Sequence, residues 1–538
     1  MRLESFLEAY LPRSGARSKI TTQQGLLVLV RNYLVCREPI YGVGEWAERF
    51  APDLLGLSSR QVAALNDDRV GRCLDRLFEA DYSSMVLALV AHVIEEFGVD
   101  LEQLHNDSTT ITFFGRYEQT VAEQLRAGKP MLSIVHGHNK DHRPDLKQLV
   151  FILTLSQDGA VPIYFTAADG NVTDDKTHRR TWDLLCKLTG RRDFLYVADS
   201  KLATRENMAH VHQNGGRFIT VLPRTRAEDR TFRQLVRGGR VVWREIWSKA
   251  DDGGEVVDLF QICEHPSTTA EGYRLLWFRS SRKQELDALA RSSKLERALR
   301  ELAELRERLR SARTRFRERS KVHRAVEAIL EEHGSAAWIR VDVFEQAQES
   351  YRQERRGRPG KDTRYVRKVK TRFDISYELD AAALARESLT DGIFPLVTNV
   401  VGMDEMDVLF AYKKQPLIEK RFSQLKTDFE VAPVYLKSVA RIEGLLCVYF
   451  VVLLVQALIE RQVRTRMAEQ GIESLPLYPE GRPCRRPCVR RILDLFENIQ
   501  RHQLTEKRAS SEILVTELSP LQRDVLTLAG VPTARYGH

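Results

Sequence analysis

The chain has 538 residues, 43% of them hydrophobic and 29% charged, with 83 Lys and Arg against 74 Asp and Glu, a net charge of +9 and a pI of about 9.1. This length exceeds one typical hydrophobic core and predicts about two to four domains. The composition fits a globular protein, and the mild basic excess suggests a polyanionic partner.

The seven cysteines are odd in number and scattered, which argues against a disulfide framework. The start, M-R-L-E-S-F-L-E-A-Y, has no secretory layout. The most apolar run, Gly444 to Ile459, is 16 residues long and flanked by Glu443 and Glu460. That is short of the ~20 residues needed to span a bilayer. A buried core helix, a cytoplasmic compartment and no membrane partner are therefore expected.

Residues 1–100 read as a helical module. Gln24 to Cys36 is mostly apolar, Asn66 is placed to cap a helix carrying Val70, Leu74 and Leu77, and Ser83 or Ser84 to cap another ending near Gly98. From 101 the pattern changes to strands. Thr109, Ile111 and Phe113 alternate, and Met131–Val135, Leu149–Leu155, Val161–Phe165 and Phe194–Ala198 are further strand candidates, with a helix expected at Thr181–Leu188. Strands mixed with helices predict an α/β core. A helix at Asn207–Gln213 and a strand at Arg217–Leu222 follow.

Residues 239–280 alternate as antiparallel strands and include Trp243, Trp247 and Trp277. Residues 281–334 read as a long charged helix with a narrow Leu seam, either a coiled coil or a helical hairpin. In residues 351–372 ten Lys or Arg face two acids, and Gly357, Pro359 and Gly360 argue against regular structure. This stretch is either a solvated linker or a phosphate-contacting loop. Phe373–Leu379 and 391–399 are strand-like, Asp404–Tyr412 is helical, and Pro416 suits the first turn of a helix carrying Glu419, Phe422 and Lys426 on one face.

Three acids in unlike settings draw the argument to chemistry. Asp107 begins a strand candidate in L-H-N-D-S-T-T, Asp199 ends the apolar run F-L-Y-V-A-D, and Glu419 lies in the helix after Pro416. Strand-end acids project where open α/β sheets place their sites. Hard oxygen ligands suit Mg2+ or Mn2+, and a metal pair supports in-line attack on phosphodiesters. The stretch H-G-H-N-K-D-H-R-P-D-L-K-Q (136–148) adds His142, Arg143 and Lys147, read as DNA contacts or loop braces. Its histidines lack a standard zinc spacing, and Cys484-x3-Cys488 has no second ligand pair.

Residues 412–426 also carry Tyr412, Gln415, Glu419 and Lys426 in the spacing Y-x2-Q-x3-E-x6-K. Here the chain resembles a bacterial insertion-sequence transposase of the DDE superfamily, in the branch with a Tyr-Arg-Glu-Lys signature. Gln415 stands at the Arg position. N-D-S-T-T around Asp107, residues 136–148, D-G-N-V-T-D (169–174) and V-A-D at Asp199 belong to the same resemblance. It implies a ribonuclease-H-like core with Asp107, Asp199 and Glu419 as catalytic metal ligands for two Mg2+ or Mn2+ ions. It implies that Tyr412, Gln415 and Lys426 contact DNA, that the partners are transposon ends and target duplex, and that a homodimer forms the synaptic complex. It also implies an insertion between Asp199 and Glu419, which are 220 positions apart. The resulting layout is a helical DNA-binding domain at 1–100, core at 101–216, a β-plus-helical insertion at 217–372, core with the Glu at 373–465 and a C-terminal extension at 466–538. A divalent-metal nuclease without strand transfer and a DNA-binding protein without catalysis stay open beside it.

Overall fold

In a computed structural model the protein is described at all residues except 16–17, 116, 118–124, 141–142, 252–253, 265–266, 312, 429–435, 505–511 and 537–538. Two compact units emerge, one formed by Met1–Val221 with Thr398–His538, the other by Leu222–Val397.

The first unit opens with helices at Leu3–Tyr10, Thr22–Val35, Asp67–Glu79 and Tyr82–Phe97, joined by short helical turns. Their starts follow side-chain chemistry. Asn66 accepts from the Arg69 N–H at 3.0 Å and sets the third helix. The fourth is capped by Asp81, not by either serine: Asp81 accepts the Ser84 N–H at 3.1 Å. Its carboxylate at the positive helix end outcompetes a hydroxyl one turn further in.

The core of this unit is formed by five strands of a mixed sheet, β1 (Gln103–Phe113), β2 (Lys147–Ser156), β3 (Pro162–Asp169), β4 (Leu195–Ala198) and β5 (Arg217–Val221). Its order is β3-β2-β1-β4-β5. β1 is antiparallel to β2, with Asp107 opposite Leu153, and β2 is antiparallel to β3. β4 runs parallel to β1, with Asn106 opposite Ala198, and β5 parallel to β4. Helices His178–Thr189 and Arg205–Gln213 precede the two parallel strands. The Met131–Val135 strand is absent. Only Val135 bridges to Gln148, because the Leu132 and Ser133 N–H groups go to the Glu443 and Asp169 carboxylates instead of a ladder.

The apolar run lies inside the 31-residue helix Val439–Glu469, which is long and apolar enough to cross a bilayer yet is largely buried in the protein. It packs on Thr22–Val35, Asp67–Glu79 and β3. Phe450 stacks on Phe165 at 4.7 Å between ring centroids, and Tyr449 meets Tyr33 at 4.8 Å. Cys484 is buried in a satellite cluster with Val463, Leu475 and Val525 at the end of this helix.

Glu443 sits on the buried face of that helix and accepts the Leu132 N–H at 3.1 Å. Burial pushes its carboxyl up to about 7, against the pull of the Leu132 N–H, with Asp169 raising it further. The folded value lies above the unfolded one of 4.5, so protonated Glu443 contributes stability that is complete below about 4.5 and lost as pH rises through about 7. Unfolding followed against pH should show a loss of up to about 3 kcal/mol across this window. Glu443→Gln should flatten the profile there; an unaltered slope in that variant would remove Glu443 as its cause.

In the second unit, strands Ile393–Thr398, Arg274–Ser280, Val256–Cys263 and Trp243–Ala250 lie side by side in that order. Trp277 is buried and stacks on Phe232 at 3.8 Å and 5°, Trp243 meets Phe232 edge-on, and Trp247 stacks on Phe260, so all three tryptophans serve packing. The charged 281–334 stretch is a helical hairpin, Ser281–Arg310 and Arg319–Glu332, whose Leu302, Leu305 and Leu309 close on Val322, Val326 and Ile329.

Residues 351–372 correct the linker reading. They belong to two 15-residue antiparallel strands, Ile339–Gln353 and Tyr365–Leu379, with Gly357, Pro359 and Gly360 confined to the turn. The glycines and proline break only the turn, and a two-stranded ribbon open to water tolerates the charge on either face. The boundary drawn at 372 therefore falls inside a strand, and the one at 217 falls inside the β4–β5 pairing of the first unit.

Candidate active site

The β1–β4 register sets the two aspartates. Asn106 faces Ala198, so Asp107 and Asp199 take the next positions on neighbouring parallel strands, about 4.8 Å apart at the backbone. Each carboxylate is steadied locally: Asp107 accepts the Ser108 N–H at 2.7 Å, and Asp199 the Lys201 N–H at 3.0 Å. Thr220 on β5 donates to the Asp199 carbonyl at 2.6 Å.

Glu419 reaches the same region from helix Pro416–Ser423, with Pro416 in its first turn as the sequence predicts. Ile418, Arg421 and Phe422 are buried while Glu419 is exposed, and the helix packs on β1 and β2. Arg421 anchors it, donating to the carbonyls of Ala160 at 3.2 Å and Gly159 at 3.3 Å in the β2–β3 turn and to Glu460 at 3.2 Å.

Tyr412 lies within electrostatic reach of all three acids. Its phenol is pushed up to about 12, first by burial and then by Asp199, Glu419 and Asp107. All three carboxylates thus act on one neutral hydroxyl group. Tyr196 is likewise held well above its ordinary range by burial, Asp199 and Asp107. It hydrogen-bonds His178 Nδ1 at 3.1 Å, and His178 Nε2 lies 4.0 Å from Asp199.

Gln415 is a correction. It is buried at 7% exposure, with Oε1 2.8 Å from His105 Nδ1 and Nε2 donating to the Asn106 carbonyl at 3.2 Å. Burial drives His105 down to about 4, so the ring is neutral and the pair is a bond between neutral groups. Gln415 therefore locks the Glu419 segment to the residue before Asp107 and has no surface for DNA. Lys426 lies in a π-helical turn, Gln424–Asp428, which carries it off the face expected of a continuous α-helix.

Residues 137–140 fold back over the ends of β2 and β3. A Cβ on Gly137 would lie 1.9 Å from the Gly170 carbonyl oxygen, and one on Gly170 2.1 Å from that of Gln148, so two glycines are required. Gln148 locks the crossing by donating to the Gly170 carbonyl at 2.8 Å. The loop so held delivers Lys140, whose Nζ donates to the Ser108 carbonyl at 2.6 Å and lies 3.6 Å from Asp107. Arg143 is exposed, forked onto Asp145 at 2.7 and 2.9 Å and placed over Phe114. Lys147 begins β2, half-buried, opposite Phe113. His142 lies outside the described residues.

Sequence reasoning missed His178, Tyr196 and Arg421, all buried and none in a spaced motif. Asp107 does not begin a strand but lies inside β1, because pairing extends back to Gln103; with Asp199 just past β4 and a third carboxylate, it offers the hard oxygens that Mg2+ or Mn2+ prefers. Among the described residues no three His, Cys, Asp or Glu are already close enough to hold an ion together.

Residues 1–91 match a family described as a domain of unknown function, DUF4277. No curated protein matches the chain. Among solved structures, the cryo-EM structure of a piggyBac transposase synaptic complex with hairpin DNA is similar over 50% of this chain and 59% of that one, at 10% identity and a TM-score of 0.27. The match thus spans under two thirds of that protein's length.

Proposed function

We propose that this chain is a DDE-type DNA transposase. In this reading it binds the ends of an insertion sequence, cleaves them with two divalent metals and joins the freed 3′-OH ends to target DNA. The observation that carries the reading is the placement of Asp107 within β1 beside Asp199, which directly follows the parallel strand β4, with the helix bearing Glu419 packed on β1. The mixed sheet with these aspartates on its middle strands supports the ribonuclease-H-like core that the resemblance implies.

Asp107, Asp199 and Glu419 would hold the ions, which when bound supply an activated attacking oxygen and a stabilised leaving oxygen. The remaining work falls to the chain's own groups. Tyr412, neutral at physiological pH, offers an O–H donor beside the carboxylates. Lys140 sets a positive charge beside Asp107, and the Tyr196–His178 pair braces Asp199 from the buried side. Lys426 would hold the phosphate beside the scissile bond, Arg143 and Lys147 would contact DNA, residues 1–100 would read the transposon end, and a homodimer would pair two ends.

Incubating the chain with Mg2+ and duplex DNA ending in the repeats that flank its gene tests this. Release of 3′-OH ends and their joining to a second duplex is the expected result. Cleavage without joined products would leave a metal nuclease, and no cleavage with either Mg2+ or Mn2+ would end the proposal. In the same assay Lys426→Ala should weaken end binding and lower the salt slope by about one phosphate contact. Its cleavage should fall less than that of Glu419→Ala; the reverse order would make Lys426 part of the chemistry.

A further inference from the structure

The net charge of +9 is concentrated in one place. Residues 346–372 hold ten Lys and Arg against Glu349, Glu354 and Asp362, a net of +7. They form the outer part of the antiparallel ribbon Ile339–Gln353 and Tyr365–Leu379, beyond the buried Val343 and Ile375 at its base.

The register sorts the side chains. Partners across an antiparallel pair share a face, and successive pairs alternate. Gln346, Gln348, Ser350, Arg352, Lys368 and Lys370 fall on one face, all exposed, with Val366 beside Arg352, the half-buried Arg372 opposite Gln346 and no acid among them. Among the described residues no carboxylate pairs with Arg352, Lys368 or Lys370. The opposite face carries Tyr351, Tyr365 and Val369, and there the one acid, Glu349, is paired with Arg367. The turn 354–364 adds five more Lys and Arg. Charge that merely kept the open ribbon edges from aggregating would serve on either face. Segregation of cations and amides onto one face, with the acid neutralised on the other, points to a ligand.

We propose that this ribbon is a DNA-binding arm that enters the major groove of a duplex with its Gln346–Lys370 face inward. The inference rests on the proposed action on DNA and adds the element that grips it. A two-stranded ribbon fits the major groove, about 12 Å wide, and eight residues of each strand span about 27 Å along it. Lys and Arg neutralise phosphates, while Gln346 and Gln348 carry amides of the kind that pair with adenine edges. The deep, narrow major groove of duplex RNA would not admit the ribbon.

The test is binding of the full chain to a fluorescent DNA duplex, without divalent metal, as a function of salt. Arg352→Ala, Lys368→Ala and Lys370→Ala together should lower the slope of log affinity against log salt by about 2.7. A control removing three exposed cations from helix Ser281–Arg310 (Lys294→Ala, Arg297→Ala and Arg300→Ala) should leave the slope unchanged. An equal fall in both variants would reduce the effect to net charge and overturn the assignment. A parent chain that cleaves DNA while the ribbon variant binds with an unchanged slope would overturn the arm alone. A parent chain that binds no duplex DNA would overturn the arm and the proposed function together. Duplex RNA bound as tightly as DNA would overturn the placement in the major groove.

Discussion

Asp107→Ala, Asp199→Ala and Glu419→Ala should each reduce DNA cleavage by on the order of 10³ while leaving binding to end DNA largely intact. That scale is the cost of removing one group that stabilises charge only in the transition state. Affinity has a separate origin, since most of it comes from cations on phosphates, and these three residues carry none. Asp107 and Asp199 have only local partners in the Ser108 and Lys201 N–H groups, one residue and two residues further on, so their loss breaks no long-range tie of the sheet. Glu419 is exposed, and its replacement costs the fold little. Gel shifts and cleavage assays on the three variants separate the two effects. Near-normal cleavage by any one of them would remove that residue from the catalytic set. Loss of binding in step with cleavage would make the residue structural.

What the sequence reveals here follows the range of the forces involved. The strand before Asp199, the helix start at Pro416 and the buried Gly444–Ile459 run are local patterns of apolar periodicity and capping, and they are found where expected, while the strand near Asp107 begins four residues earlier, at Gln103. Met131–Val135 reads as a strand because its composition is apolar, but distant carboxylates on Glu443 and Asp169 take its backbone donors. Gln415 illustrates the same limit at the site. Its spacing in the signature places it correctly in the chain, yet nothing local shows that its amide would turn inward to His105 and Asn106, more than 300 positions earlier. The ribbon was hidden for the opposite reason. Gly, Pro and charge mark a turn and a wet surface, and the outer parts of the strands flanking them have no buried face to produce alternation.

Arg421 is where fold and site depend on each other, and Arg421→Ala should cost about 3 kcal/mol of stability. Its guanidinium is buried at 1% exposure and donates to Gly159, Ala160, Gln424 and Glu460. Burial alone would raise the Glu460 carboxyl, but Arg421, Arg464 and Lys420 together hold it below its ordinary value. Removing Arg421 leaves two carbonyls and one glutamine oxygen without their donor and weakens the compensation of a buried carboxylate. Arg464 remains 3.2 Å from Glu460, which is why the expected loss sits at the lower end for a broken buried pair. Adding Glu460→Gln should recover part of it, because the amide oxygen can still accept the Val489 N–H now bonded at 3.0 Å. Denaturant unfolding of the two single variants and the double gives the coupling directly. The pair should be non-additive by more than about 1 kcal/mol, and additive losses would mean that the carbonyls of the β2–β3 turn, not Glu460, are what Arg421 serves. Either way the helix bearing Glu419 loses its tie to that turn. Cleavage by the Arg421 variant should therefore fall at temperatures where it is still folded, and a folded variant with full cleavage would show that Glu419 is positioned by Gln415 alone.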